Sequence, residues 1–319
     1  MHLKQFGDIC QFKIPLIRNP LKYTLTYFIK SQNTLIDLGG ESEEAKDALK
    51  RQLLAADSSL SKIEKVVLTH LHRDHSGLTN YLKENSNATI YTHYVSRNYS
   101  IENNDLKELI LKEFYMFGEN SIIFPKIILH QIQNKSSSRS EAYVSLNDND
   151  YLDSDKRFQV IWTPGHAPEH ICIYDNQLKI LFSGDHVLPR ITPHISLHIN
   201  EKTNPLKDYI ESLEKIKKLD IKLVLPAHES EFKDLEKRVE GIEKHHLSRL
   251  EEIKDTVRKG EKTVHQISSE LSWKSSPWGF MPFWIKHMAA CETYAHLIYL
   301  RNRGDIYESI KNGRLYYKI

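Results

Sequence analysis

The sequence predicts an α/β fold, and two observations predict it. Short β-rich apolar runs alternate with stretches of helical spacing between about residues 20 and 235. Four of those runs lead straight into a histidine or an aspartate, so polar side chains recur where strands stop. A chain of 319 residues with 40% hydrophobic content has enough apolar surface for one large domain, or for one domain with an appendage.

Net charge is only +2 and the two signs are interspersed, which gives no case for nucleic acid or a membrane surface as the main partner. A small-molecule substrate is expected, and the oligomeric state is left open, a homo-oligomer included. Cys10, Cys172 and Cys291 are odd in number, far apart and in no C-x-x-C spacing. That argues against a disulfide framework or a thiolate metal site and fits a reducing cytoplasm. No stretch approaches the roughly 18 apolar residues that span a bilayer, and the N-terminus lacks a charged stretch followed by an apolar one. A soluble cytoplasmic protein is the expectation.

Taken in order, residues 14–38 alternate turn signals with β-rich runs: Pro15 and Pro20, then 23–29, then 34–38 ending at Gly39 and Gly40. Two antiparallel strands are expected there. Residues 45–56 carry apolar positions at helical spacing, with a start near Ser42. The strand at 65–69 then runs into Thr69-His70-Leu71-His72-Arg73-Asp74-His75-Ser76-Gly77. Period-two alternation points His70 and His72 the same way, so the two imidazoles can share a metal. Asp74 and His75 follow where the backbone turns, which aims them at a second metal a few ångströms away. Gly77 has no Cβ where the next helix starts, which allows a close approach.

Residues 78–82 continue as helix and 88–92 as strand. From about 95 to 150 the pattern changes: residues 106–117 are helical and bulky, and they read as an inserted cap whose Phe114 and Tyr115 wall the substrate pocket or pack core. A loop is expected at 136–140, which is serine-rich. The strand at 158–162 runs into Thr163-Pro164-Gly165-His166, where proline and glycine fix a turn that presents His166. A hairpin of 171–174 and 179–182 around Asp175-Asn176 leads into Ser183-Gly184-Asp185-His186. A helix at 213–219 and a strand at 222–225 lead to Pro226-Ala227-His228.

The order H-x-H-x-D-H, G-H, G-D and a late strand-end histidine resembles the metallo-β-lactamase superfamily over roughly residues 20 to 235. That resemblance implies an αββα sandwich of two mixed sheets flanked by helices, with two Zn2+ per chain and Mn2+ or Fe2+ as alternatives. It implies His70, His72 and His166 as ligands of the first metal and Asp74, His75 and His228 as ligands of the second. Asp185 is the implied bridging carboxylate, and Asp37 a buried support beneath the metals. Asp185 stands where zinc β-lactamases carry cysteine, which argues against antibiotic hydrolysis. His72 stands where the diiron oxygen reductases carry glutamate, and a nitrogen-rich site suits zinc. Leu188 stands where acyl-homoserine lactonases carry tyrosine. Residues 185–193 most resemble a bacterial group of metallo-hydrolases related to the glyoxalase II-like branch.

The expected chemistry is hydrolysis of a small-molecule thioester, ester or lactone by hydroxide held between the two zinc ions, with Asp74 orienting it and passing a proton. His186, His194 and His198 lie on the loop after Asp185 and are candidate substrate contacts.

Beyond residue 234, a long amphipathic helix at 235–258 ends at Gly260, and a second helix is expected at 264–271. An aromatic cluster of Trp273, Trp278, Phe280, Phe283 and Trp284 precedes a third helix at 285–302. Two strands follow around the Asn312-Gly313 turn. The order resembles a winged helix. A catalytic domain at 1–234, with its insertion at about 95–150, and a small C-terminal winged-helix-like domain at 235–319 are therefore expected. Because β-lactamase-like endoribonucleases carry a winged helix at the same place, RNA or phosphodiester cleavage is the alternative. Residues 241–319 hold thirteen Lys or Arg against nine Asp or Glu and show no basic stripe.

Overall fold

The computed structural model describes residues 3–98, 103–119, 143–274 and 276–319, and the chain forms two compact units. The first draws on residues 1–99, 138–193 and 212–239, the second on 100–137, 194–211 and 240–319.

In the first unit, seven strands form one mixed sheet in chain order: β1 (Lys4–Phe6), β2 (Ile9–Pro15), β3 (Tyr23–Ile29), β4 (Thr34–Ile36), β5 (Lys65–Val67), β6 (Thr89–His93) and β7 (Tyr143–Leu146). Neighbours run antiparallel as far as β4 and parallel from β4 to β7. A second sheet has the order β11-β10-β9-β8, built from β8 (Phe158–Trp162), β9 (Ile171–Asp175), β10 (Ile180–Gly184) and β11 (Leu223–Pro226). Only its β10–β11 pair is parallel.

Side-chain alternation explains why these sheets stack. Leu25, Tyr27 and Ile29 of β3 point into one buried core with Val160, Ile173 and Phe182 of the second sheet. Phe12 and Ile14 of β2 and Phe28 of β3 point the other way, onto Leu49 and Leu53 of α1 (Glu43–Ala55). Ser42 starts α1 as expected, its hydroxyl accepting the Ala45 N–H at 3.0 Å. Two sheets face to face with helix on the outside is the αββα sandwich. Two short helices, α2 (Arg73–Ser76) and α3 (Thr79–Asn85), follow β5.

Helices dominate the second unit. It holds α4 (Asn103–Met116), the first half of α5 (Pro205–Lys217), most of α6 (Leu235–Arg258), α7 (Val264–Glu270) and α8 (Phe283–Arg303). A small sheet of order β12-β14-β13 closes it, from β12 (Lys262–Thr263), β13 (Tyr307–Lys311) and β14 (Arg314–Lys318). Among the described residues no helix is long and apolar enough to cross a membrane.

The structure differs from expectation at several places. Strand β2 was not foreseen, although Cys10, Phe12 and Ile14 on one face alternate with Gln11 and Lys13 on the other, as in a strand. Helix α5 starts at Pro205 and not at 213, because Asn204 caps it by accepting the Lys207 N–H and proline is tolerated in a first turn. The segment expected as one cap is divided: β7 joins the first sheet, while α4 belongs to the second unit. The second unit thus takes in more than the expected 235–319. The five aromatic residues do not form one cluster. Phe280 is 84% exposed, Trp273 lies under the Arg249 guanidinium, and Phe283 stacks on Phe114. The expected loop at 136–140 lies outside the described residues.

Candidate metal centre

The centre is assembled from strand ends of both sheets. Beyond β5, Leu68 still pairs with Tyr91 through its N–H, and the chain then leaves the sheet at Thr69 and His70. Asp37, just past β4, fixes that departure. Its carboxylate accepts the Thr69 N–H at 2.8 Å, the Thr69 hydroxyl at 2.9 Å and Nδ1 of His75 at 2.8 Å. Asp37 is 1% exposed and sits at φ +58°, a left-handed conformation that Asp tolerates better than most residues.

His70, His72 and His166 then converge. Nε2 of His70 stands 2.9 Å from Nδ1 of His72, which stands 3.1 Å from Nε2 of His166. Two nitrogens on one tetrahedral cation are about 3.3 Å apart, so the spacing is that of ligands. A second group, Asp74, His75 and His228, lies beside the first. Nε2 of His228 is 3.4 Å from Oδ2 of Asp74, and its Nδ1 is held by the Tyr23 carbonyl at 3.0 Å. Asp185 faces both groups. Its Oδ2 is 3.6 Å from Nε2 of His75 and 3.7 Å from Nε2 of His166, while Oδ1 is 3.4 Å from Nε2 of His228. All seven residues singled out as ligands in the sequence are therefore brought together.

Local backbone makes this possible. At Gly184 the register of β10 against β11 shifts, and φ is +50°. A Cβ there would sit 2.7 Å from Nε2 of His170 and 2.9 Å from the Thr69 hydroxyl, so only glycine lets Asp185 turn in. At Gly77 a Cβ would meet the Glu41 nitrogen at 2.5 Å, which is the close approach its sequence position suggested.

Burial and charge set the protonation. Burial favours the neutral ring at His70 and at His72, and the neighbouring imidazoles add to it, lowering His70 well below the usual range and His72 to about 3. These nitrogens are lone-pair donors. At His228 burial works the same way, but the Asp185 and Asp74 carboxylates together outweigh it and raise the pKa to about 9. At Asp74 burial disfavours the anion, yet the His228 ring 3.4 Å away and the charge of His75 hold it down at about 2.

Whether a cation fits can be judged from what the protein leaves unpaired. Nε2 of His75, Nε2 of His228 and Oδ1 of Asp185 are buried and have no hydrogen-bond partner among the described residues, and all three face one another. Each orphaned atom costs about 1–3 kcal/mol if nothing satisfies it. A shared divalent cation satisfies all of them, and the donor set of imidazoles and carboxylates suits zinc.

The other candidates have partners of their own. His186 is fully buried, with its ring 5.9 Å from that of His170. His194 pairs with Glu292 at 2.9 Å and His198 with Glu113 at 2.8 Å. Phe114, 7% exposed, stacks between Phe283 and His287, and the Tyr115 hydroxyl donates to the Asn312 carbonyl.

The sequence reading missed His170. Its Nε2 accepts the Asp185 N–H at 3.1 Å and its Nδ1 meets the Thr163 hydroxyl at 2.9 Å, so it steers Asp185 toward the cluster. Its only signal was its place just before β9, two residues past Pro168.

Fold and donor cluster together define a metallo-hydrolase. The family model described as "Metallo-beta-lactamase superfamily" matches residues 20–228, and the chain belongs to that superfamily. It is 26% identical over 259 residues to "Probable metallo-hydrolase YqjP" of Bacillus subtilis, covering 77% of this chain and 80% of that one. It is 24% identical over 293 residues to "Atrochrysone carboxyl ACP thioesterase dmxR1" of Cryptosporiopsis sp., covering 84% and 75%. Among solved structures, the metallo-beta-lactamase family protein TTHA1429 of Thermus thermophilus has a TM-score of 0.81 at 24% identity, over 98% of this chain and 99% of that one.

Proposed function

We propose that this protein is a binuclear zinc hydrolase of small thioesters or esters. In this reading His70, His72 and His166 hold one cation, Asp74, His75 and His228 hold the other, and Asp185 serves both. The observation that carries it is the placement of Asp185, within 3.4–3.7 Å of histidines from both groups. Bound there, divalent cations acidify water and polarise a carbonyl oxygen.

The chain's own residues supply the rest. Asp37, Thr69 and the Tyr23 carbonyl orient the ligand rings through their far nitrogens, which fixes tautomer and direction. Asp74 is 23% exposed at its side chain and held at about 2, so at neutral pH it is an anion open to the substrate side. It acts as a hydrogen-bond acceptor that orients the nucleophile and relays a proton, because a group this acidic stores none.

A thioester or ester suits a centre that needs no covalent side-chain intermediate, and the similarity to a protein named as an acyl carrier protein thioesterase supports that class. The order β12, α7, α8, β13, β14 after the long α6 supports a winged-helix-like reading of the C-terminal part. Ten residues of α8 are buried, so one face of this helix serves packing.

The test is a panel of thioesters, aryl esters, lactones and single-stranded RNA assayed at one enzyme concentration, alongside elemental analysis. Turnover of a thioester or ester, with at least two zinc ions per chain, is expected. Turnover of RNA alone overturns the substrate class, and one zinc ion or none overturns the binuclear centre.

A further inference from the structure

A second donor cluster lies within the helical unit. His287 and Cys291 are four residues apart on α8, so their side chains share one face, and Glu113 of α4 meets them there. Oε2 of Glu113 is 3.1 Å from Nε2 of His287 and 4.0 Å from Sγ of Cys291, and Sγ is 3.7 Å from the same Nε2. Glu113 is fully buried and Cys291 is 2% exposed.

Three Lewis bases here address one point. A tetrahedral zinc with Zn–N and Zn–O near 2.05 Å and Zn–S near 2.3 Å separates nitrogen from oxygen by about 3.3 Å and sulfur from either by about 3.6 Å. The observed separations differ from those by a few tenths of an ångström. The two oxygens of Glu113 also divide their work: Oε1 is held by Nδ1 of His198 at 2.8 Å and by the Ile199 N–H at 3.2 Å, leaving Oε2 for the cluster. Ligating carboxylates are held from behind in this manner.

A Cys–His–Glu nucleophile triad requires the thiol on one ring nitrogen and the carboxylate on the other. Both partners instead address Nε2, and Nδ1 of His287 is buried without a hydrogen-bond partner among the described residues. The geometry contradicts a triad.

We infer that Glu113, His287 and Cys291 form a mononuclear zinc site, separate from the His/Asp centre, that ties α4 to α8. The charges balance: one carboxylate, one thiolate and one divalent cation sum to zero in a buried place. Burial, with the Glu113 charge beside it, pushes the Cys291 thiol well above its usual range. On binding, the Zn–S bond would replace the S–H bond and the thiol proton would pass to solvent. Cysteine spacing alone argued against a thiolate site, because the other ligands are a histidine one helical turn away and a glutamate 178 positions earlier.

Cobalt tests this with the full chain. The His/Asp centre contains no sulfur, so a thiolate-to-cobalt charge-transfer band in the near ultraviolet reports only on a cysteine site, and its outcome is independent of the binuclear reading. Titration of metal-free protein with Co2+ to saturation should produce that band at the intensity of one cobalt–thiolate bond per chain. Cys291→Ser should abolish the band and lower zinc content by one ion per chain, while His228→Ala should retain the band. His198→Ala should weaken zinc at this site about 10–100-fold in competition with a chelating dye. No band in the unaltered chain, or a band that persists in Cys291→Ser, overturns the proposal. Should Cys291→Ser not fold, the rate of Cys291 alkylation in the unaltered chain, with and without saturating zinc, decides in its place: slower labelling with zinc is expected, and equal rates overturn it.

Discussion

Oδ2 of Asp37 lies 2.8 Å from Nδ1 of His75, and the same carboxylate accepts the N–H of Thr69, the residue before His70. One buried side chain thus aims ligands of both proposed cations. Asp37→Asn keeps the shape and the tolerance of a left-handed backbone but removes the charge. It should leave the fold intact and weaken zinc about 10–100-fold, measured by competition with a chelator. Asp37→Ala also leaves the buried Thr69 N–H and the His75 ring without an acceptor. It should cost a further ~1–3 kcal/mol in denaturant unfolding of the metal-free chain. Equal zinc affinity in Asp37→Asn and the unaltered protein would refute the orienting role.

Arg157 carries a structural counterpart. Its guanidinium donates to both oxygens of Asp8 at 2.8 and 3.0 Å and to Oδ2 of Asp175 at 2.7 and 3.0 Å, joining the start of the first sheet to the hairpin of the second. Asp175 is fully buried, so Arg157→Ala leaves an uncompensated charge inside. The expected loss is about 3–5 kcal/mol, read from the urea midpoint, with zinc content per folded molecule unchanged. A loss under about 1 kcal/mol would mean that water reaches Asp175.

These two residues mark how far the sequence could be read. The seven ligand candidates were legible because each lies in the turn that follows a strand and the first four lie within six consecutive positions, from His70 to His75. Asp37 was legible only through the resemblance, since a strand-end aspartate reads equally well as a turn former. Asp175 reads as the hairpin turn, and its capping of the Gln177 and Leu178 N–H groups agrees with that. Its partnership with Arg157 and Asp8 spans up to 149 positions and has no local signature. His170 and the Glu113 cluster were hidden for the same reason: chemistry that depends on distant pairing leaves no spacing pattern.

Protonation gives the centre a signed pH dependence. His228 is raised from 6.5 to about 9, so its pairing with Asp185 and Asp74 stabilises the metal-free chain fully below 6.5. That contribution is lost as pH rises through about 9. Asp74 is lowered from 3.8 to about 2, so its contribution is complete above 3.8 and lost as pH falls through about 2. For these groups the metal-free protein is most stable between 3.8 and 6.5 and weakens on either side. Zinc has the opposite preference above 6.5, since it must displace the His228 proton; affinity should climb toward pH 9 and then level off. Melting curves of chelated and zinc-loaded protein across this range check both signs. A metal-free melting temperature that rises between 6.5 and 9 would contradict the assignment.

Asp74 separates chemistry from metal binding. Its Oδ2 lies 3.4 Å from Nε2 of His228 and its Oδ1 4.0 Å from Nε2 of His75, while part of the carboxylate remains open to solvent. Asp74→Asn preserves the shape and one acceptor oxygen but cannot take up a proton. It should lower kcat about 10²–10⁴-fold with KM little changed, the range for losing a positioned proton acceptor. Zinc content, circular dichroism and melting temperature of the same sample then assign the loss. If both ions of the His/Asp centre remain and kcat falls, Asp74 acts on the proton. If one zinc ion leaves with the activity, Asp74 acts as a ligand alone, and if full activity persists with both ions bound, another group must orient the nucleophile.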